Sequence, residues 1–223
     1  MATMFQTAPI EASSQSELTR QMAARLHTAL TTHLQQAYAP DQRKNLRLFS
    51  ATETAELLGV TGQFLRKCHS EGTLPEPEVI RTGRRFYSGK EMLQIRHLLE
   101  ASSRTSGKYV PGRRDGDKLQ VIQLMNFKGG SAKSTSAIHL CHFLALHGYR
   151  VLAIDLDPQG SLTGFCGIQT ELEFDGASIY DALRYEDPVP MSDAIVETYF
   201  PGLHLAPAQL VLILYSFSKV SRR

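Results

Sequence analysis

Lys128-Gly129-Gly130-Ser131-Ala132-Lys133-Ser134-Thr135 is the stretch on which the fold of this chain turns. Paired glycines let a backbone wrap closely around a ligand, and the lysine-serine pair that follows opens a helical pattern running to about His147. The first N–H groups of a helix have no partner of their own and carry a partial positive charge. A glycine-rich loop at that point therefore collects phosphate oxygens. Lys133 supplies an ammonium suited to the terminal phosphates, and Ser134 a hydroxyl suited to magnesium. Upstream, residues 119–125 form an apolar run that predicts a strand. Downstream, Gly148 ends the helix, and residues 150–156 predict a second strand that closes on two carboxylates, Asp155 and Asp157. Strand, loop, helix and strand make a βαβ unit of a parallel sheet, and the alternation along a strand sets the two carboxylates on one side. Weaker helical patterns follow at 178–183 and 192–199, then a third strand at 203–206.

Lys128, ahead of the paired glycines, makes the loop more specific. It resembles the deviant Walker A motif of the ParA/MinD/Soj superfamily. Asp155-Leu156-Asp157-Pro158-Gln159-Gly160 is similar to that family's second signature. The resemblance implies ATP and Mg²⁺ as cofactors, with Gly129, Gly130, Ser131, Ala132, Lys133, Ser134 and Thr135 around the phosphates. It further implies that Lys128 reaches across a dimer interface to the other subunit's nucleotide. Ser134 and Asp155 belong to the magnesium shell on this basis, and Asp157 positions the attacking water, so Lys128 and Asp157 are the implied catalytic pair.

Two departures from the family stand out. Ala132 occupies the place of a glycine; if that position needs a positive φ, alanine costs about 1–2 kcal/mol there. The family also continues well beyond residue 209, through further strands, a Walker B aspartate and an adenine pocket. Residues 210–223 read as a tail outside the family, of the kind a frameshift or premature stop leaves. The expectation is an incomplete sheet with exposed apolar surface.

Working outward, residues 102–117 shift to Ser, Gly, Pro, Arg and Asp, the composition of a linker and domain boundary. Before it, residues 50–59 predict a short helix with Ser50 as N-cap and Glu53 three positions on. Gly59-Val60 breaks that helix and Thr61 caps a second one through Phe64, Leu65 and Cys68. Two short helices around a glycine turn predict a helix-turn-helix, and residues 79–87 a β-hairpin with a basic tip. Together they resemble MerR-like winged modules. Ser88 caps a further amphipathic helix through Met92, Ile95, Leu98 and Leu99. Thr61, Gln63, Arg66 and Lys67 on the second helix and Arg81, Arg84 and Arg85 on the hairpin are the candidate DNA-binding residues, since Gln and Arg suit base edges and cations suit phosphates. The bland alternative is a small packing domain with a solvated basic face.

Residues 1–13 lack periodicity and are read as disordered. Residues 14–45 hold a helix with Leu18, Met22, Leu26, Leu30 and Leu34 at spacing four. That stripe predicts dimerisation or packing on its own domain. The remaining divisions are 46–101 for the winged module, 102–117 for the linker, 118–209 for the first part of the ATPase domain and 210–223 for the tail. The fold class is thus α/β, an N-terminal helix and winged helix-turn-helix followed by an incomplete P-loop parallel-sheet domain. This order of elements is similar to the RepA partition ATPases of repABC-type plasmids over about residues 14–209. What that resemblance implies is ATP-dependent plasmid partition by a homodimer that binds operator and nucleoid DNA, represses its own operon and works with a centromere-binding protein of ParB/RepB type. The alternatives are an ATP-independent autorepressor and an inactive fragment.

Composition is consistent with this. The chain has 223 residues, a net charge of +2, 42% apolar and 21% charged residues, all ordinary for a globular protein. Basic residues predominate between Arg66 and Arg114, acidic ones between Asp155 and Glu197, which points the middle of the chain at nucleic acid. Cys68, Cys141 and Cys166 show neither disulfide nor metal spacing and read as cytosolic thiols. His139, His142 and His147 lack a companion ligand set and read as surface or packed residues. No apolar run has the roughly 20 residues of a membrane span, and a membrane-targeting ATPase fits poorly with the leading basic module. The expected location is cytoplasmic and nucleoid-associated, without a membrane partner.

Overall fold

The computed structural model describes residues 15–37, 44–112, 117–168, 174 and 176–209. The chain divides into two units, 1–43 and 44–223. The first holds helix α1, Gln15–Ala37, as the spacing-four stripe predicts; Leu18, Met22 and Leu26 of that stripe are exposed.

The second unit begins with a helical module. Strand β1, Phe49–Ser50, runs straight into helix α2, Ala51–Leu58. The capping box read from the sequence is present, with Ser50 Oγ accepting from Glu53 N–H and the Glu53 carboxylate accepting from Ser50 N–H. Gly59 ends α2 in the left-handed conformation at φ 69°, and Thr61 caps helix α3, Gly62–Ser70. Strands β2, Val79–Arg81, and β3, Arg84–Tyr87, form the expected hairpin, with Arg81 facing Arg84. Its two turn residues both have positive φ, Thr82 at 48° and Gly83 at 71°, so the turn matches the twist of the strands. The sheet order is β1-β3-β2, all antiparallel. A second capping box, Ser88 with Glu91, opens helix α4, Gly89–Ala101. Phe49, Leu58, Leu65, Tyr87, Met92, Ile95 and Leu99 fill the core of this module; Leu98, read as part of the same apolar face, is exposed.

Beyond it lie helix α5, Lys133–Leu146, strand β4, Val151–Ile154, and short helices α6, Ser161–Phe165, and α7, Ile179–Leu183. A 3₁₀ turn at Met191–Ala194 leads into strand β5, Val196–Glu197, and strand β6, Leu203–Ala206. Strand β6 lies between β4, parallel to it, and β5, antiparallel. Ile138, Ala153, Leu162, Cys166, Phe200, Leu203 and Leu205 make the second core. Burial pushes the Cys166 thiol up to about 12, so it is an unreactive packing residue.

Three expectations change. Residues 119–125 form no strand: 117–126 run without ladder partners, and Leu119, Val121, Ile122, Leu124 and Met125 are exposed. The run has strand composition, but a strand exists only where a neighbour accepts its backbone groups, and none of the described strands pairs with it. Residues 192–199, read as a helix, divide between the 3₁₀ turn and β5, because Val196 and Glu197 find a ladder on β6. The stretch read as a linker is partly built into the fold. The Glu100 carboxylate accepts from the N–H groups of Gly107, Tyr109 and Val110, Tyr109 is buried, and Leu46 and Leu146 pack against both cores. The division of the chain accordingly falls ahead of Lys44 rather than within 102–117. The tail, 210–223, and the residues read as disordered, 1–13, lie outside the described residues.

Candidate nucleotide site

The glycine-rich loop opens α5 as the sequence predicts. Gly130 takes a φ of 71° and Ala132 one of 58°, with ψ 26°, at the N-cap of the helix. The first helical bond runs from Ser136 N–H to Ala132 O at 2.8 Å. The N–H groups of Lys133, Ser134 and Thr135 lie ahead of it, with no intrahelical acceptor. No side chain caps this helix start. A left-handed residue immediately before a helix turns successive N–H groups toward one point, the geometry of an anion-binding nest. Ser131 adds a hydroxyl that is buried and has no hydrogen-bond partner. A buried donor without acceptor is costly unless a ligand supplies one.

Among the described residues nothing lies within 4 Å of where a Cβ would stand on Gly129 or Gly130, so both are open to solvent. Lys133 and Ser134 are half-buried; Lys128 and Thr135 are exposed. Lys128 is oriented through its backbone, whose N–H donates to Asn126 Oδ1 at 2.9 Å. Sequence reading places a glycine-like demand at residue 132, and its positive φ bears that out.

Helix α5 and strand β4 are joined by a short turn, in which Gly148 takes a φ of 90°, and pack through Ile138 and Ala153 in one core. They therefore run in opposite directions, and the start of α5 lies at the same end of the layer as the end of β4. Asp155 and Asp157 follow β4 at that end. Their environments differ sharply. Asp155 is 4% exposed, and its Oδ2 accepts from both the N–H and the hydroxyl of Thr163, at 2.9 and 2.7 Å. Its Oδ1 accepts from Asp157 N–H at 3.2 Å. Thr163 in turn accepts from Ala208 N–H at 3.0 Å, tying the end of β6 into the cluster. Asp157 is exposed, and its Oδ1 accepts from Gln159 N–H at 3.0 Å. The donor set fits a nucleotide with magnesium: free amides and two ammonium groups for phosphates, the Ser134 hydroxyl as a direct metal ligand, and Asp157 open to water. Asp155 is so fully engaged by Thr163 that a metal would meet it through water.

The candidate DNA-facing residues occupy a separate part of the helical module. Gln63, Arg66 and Lys67 are exposed along α3. Lys67 lies 3.6 Å from Glu71, both largely solvated, a weak pair. The Thr61 hydroxyl is committed to the cap, accepting from Phe64 N–H at 3.1 Å. Arg81 and Arg84 are exposed beside the hairpin turn, whereas Arg85 makes two hydrogen bonds to the Glu76 carboxylate, at 2.8 and 2.9 Å.

Sequence reading passed over three residues that hold the surrounding elements together. Thr163 fixes Asp155. Lys44 Nζ donates to Gly164 O and Phe165 O at the end of α6. Arg96 lies buried at the far end of α5. A single lysine, arginine or threonine carries no periodic or motif signal. Only an unexplained charge within the apolar stripe of α4 could have drawn notice to Arg96.

A family model described as an AAA domain matches residues 119–220, which takes in much of the stretch read from the sequence as lying outside the family. The "Putative replication protein A" of Sinorhizobium fredii is 47% identical over 184 residues, covering 82% of this chain and 45% of that protein. SopA of Escherichia coli is 30% identical over 177 residues, 78% of this chain and 44% of its own. The chromosome partitioning protein ParA of Caulobacter vibrioides is 45% identical over 91 residues, 40% of this chain and 32% of its own. This chain is a relative of the ParA-like plasmid-partition ATPases. It spans less than half the length of the curated relatives named here. Among solved structures, the cobyrinic acid a,c-diamide synthase of Mycobacterium smegmatis with bound ATP analog and magnesium is 35% identical over 44% of this chain and 38% of its own, with a TM-score of 0.37. Among the described residues no helix is long and apolar enough to cross a membrane.

Proposed function

We propose that this chain binds Mg-ATP at residues 128–135 and couples it to DNA binding in plasmid partition, as a ParA/RepA-type protein. The observation that carries the reading is the left-handed Ala132 before α5, with three N–H groups free and the buried Ser131 hydroxyl unpartnered beside them. Lys133 neutralises the terminal phosphates, Ser134 ligates magnesium, and Asp157 holds a water on the open side. Lys128, exposed and ahead of the glycines, reaches the nucleotide of a second copy, and Asp155 stands in the outer magnesium shell. ATP then closes a homodimer, and hydrolysis, stimulated by a ParB/RepB-type partner, opens it.

The helical module is read as a winged helix-turn-helix. Gln63, Arg66 and Lys67 of α3 enter a groove, Arg81 and Arg84 hold the backbone, and the complex represses its own operon. Arg85 stiffens the wing through Glu76. Leu18, Met22 and Leu26, exposed on α1, serve the dimer. The protein works in the cytoplasm on the nucleoid.

Equilibrium dialysis with labelled Mg-ATP tests the nucleotide half: the intact chain binds and Lys133→Ala binds at least tenfold more weakly, the loss of about 1.4 kcal/mol or more. Equal binding by the two removes the site from residues 128–135. An ATP-independent repressor remains the second reading, favoured by the exposed run 119–127 beside the loop. Operator affinity indifferent to Mg-ATP, with no hydrolysis above the Lys133→Ala background, selects it.

A further inference from the structure

We propose that Arg96 is the positioning residue through which the phosphate-loop helix sets the pose of the DNA-facing helix α3; this rests on the nucleotide reading above. Arg96 lies in the middle of α4 and is only 4% exposed. A buried guanidinium ordinarily takes a carboxylate. Among the described residues no carboxylate pairs with this one. It donates instead to three carbonyls, two on helices and one on the segment after α4: Nη1 to Tyr109 O at 2.9 Å, and Nη2 to Leu146 O at 2.6 Å and to Leu57 O.

Two of those acceptors have a common physical character. Leu57 O belongs to the last turn of α2 and Leu146 O to the last residue of α5. Helix C-termini carry a partial negative charge and unpaired carbonyls, so one cation between two of them satisfies both ends at once. Burial favours the neutral guanidine and lowers the Arg96 pKa, and arginine nevertheless stays charged at any physiological pH. The charge therefore persists and holds the two helix ends to each other.

The third side of the clamp is closed sterically. A Cβ on Gly148, just beyond α5, would lie 2.7 Å from Tyr109 O and 3.0 Å from Arg96 Cδ. Leu46 and Leu146 pack against both cores around the same point. Helix α5 thus begins at the phosphate loop and ends on Arg96. Helix α2 begins at its capping box, ends on Arg96, and is followed at once by the Gly59 turn and α3. A tilt or axial shift of α5 on capture of phosphates either carries the end of α2 with it or breaks a buried charge-assisted bond. The first alternative moves α3.

Hydrogen–deuterium exchange on the intact chain reads this directly, with Mg-ATP as the probe. In the wild type, Mg-ATP slows exchange at 130–136 and also changes it by about threefold or more at 55–66. In Arg96→Lys, which keeps the charge and loses the fork, the first response stays and the second disappears. Arg96→Gln, which retains planar donors and buries no charge, replaces it should the lysine variant not fold. A response at 55–66 that survives both substitutions, or one that is absent in the wild type while the loop responds, overturns the proposal. Absence of any response at 130–136 defeats the nucleotide reading instead. The clamp then stands on Ala132→Pro, whose ring cannot take the left-handed conformation and so perturbs the start of α5 without ligand: it must alter exchange at 55–66 in the wild-type background and leave it unaltered in Arg96→Lys.

Discussion

Ala132 carries the sharpest conflict between local preference and site geometry. A left-handed backbone brings the alanine methyl close to a carbonyl, at roughly 1 kcal/mol, and the conformation is needed for the N–H groups of α5 to converge. Ala132→Gly removes the strain where the loop must hold its shape. We expect it to tighten Mg-ATP binding several-fold, by about 1 kcal/mol, in a calorimetric titration. Unchanged or weaker binding would mean that the loop is not held left-handed in the bound state. Asp155 offers the opposite case, a charged group with every need met from within the fold. Thr163→Val keeps the shape and deletes the hydroxyl that donates to Asp155 and accepts from Ala208 N–H. Urea unfolding should show a loss of roughly 2 kcal/mol, since a buried carboxylate and a buried N–H each lose a partner. The glycine turn and the helix that Lys133 opens were legible in the sequence because paired glycines before a helical pattern mark such a start. Thr163 was not, because its role follows from the return of β6 beside α6.

Elements were legible where a local device starts or stops them. Ser50 with Glu53 and Ser88 with Glu91 are reciprocal caps spaced by the geometry of one helical turn, and both form. The turn between β2 and β3 shows the limit of such devices, since Thr82 adopts φ 48° although a β-branched residue disfavours it. Thr82→Asn should raise the melting temperature by a few degrees, roughly 0.5–1 kcal/mol. A fall in stability would show that the Thr82 side chain supports the turn. Residues 119–125 misled for the converse reason. Apolar composition reports a wish for burial, whereas a strand is defined by its neighbour, and the neighbour is a property of the sheet. Residues 192–199 differ in the same way, their helical pattern giving way once β6 offers a ladder to Val196 and Glu197.

At the scale of the whole molecule, charge and burial set how stability varies with pH. His69 is buried, with its Nε2 at 2.8 Å from the Tyr87 hydroxyl. Burial holds its pKa below the ordinary 6.5, and burial with the His139 and Lys44 charges does the same for His142. The unfolded chain therefore takes up protons that the folded one refuses, and stability is complete above pH 6.5 and falls as pH drops toward the folded values. A second loss follows below the ordinary carboxylate range, where Glu53, hydrogen-bonded by Arg47 and Ser50, stays ionised to about 2. Melting temperature followed from pH 8 to pH 3 should fall in these two stages, and His69→Gln should shrink the upper one. The two-module organisation was read from composition; their fusion into one unit was not, because Arg96, Leu46 and Leu146 act across long sequence distances.

The proposed capture of nucleotide by the loop unites these scales, and amide-resolved NMR titration of the intact chain with Mg-ATP tests it most directly. The largest shift changes should fall on Gly129 to Thr135, with that set silent in Lys133→Ala. Shifts confined to other residues, or the same pattern in Lys133→Ala, would show that the phosphates bind elsewhere.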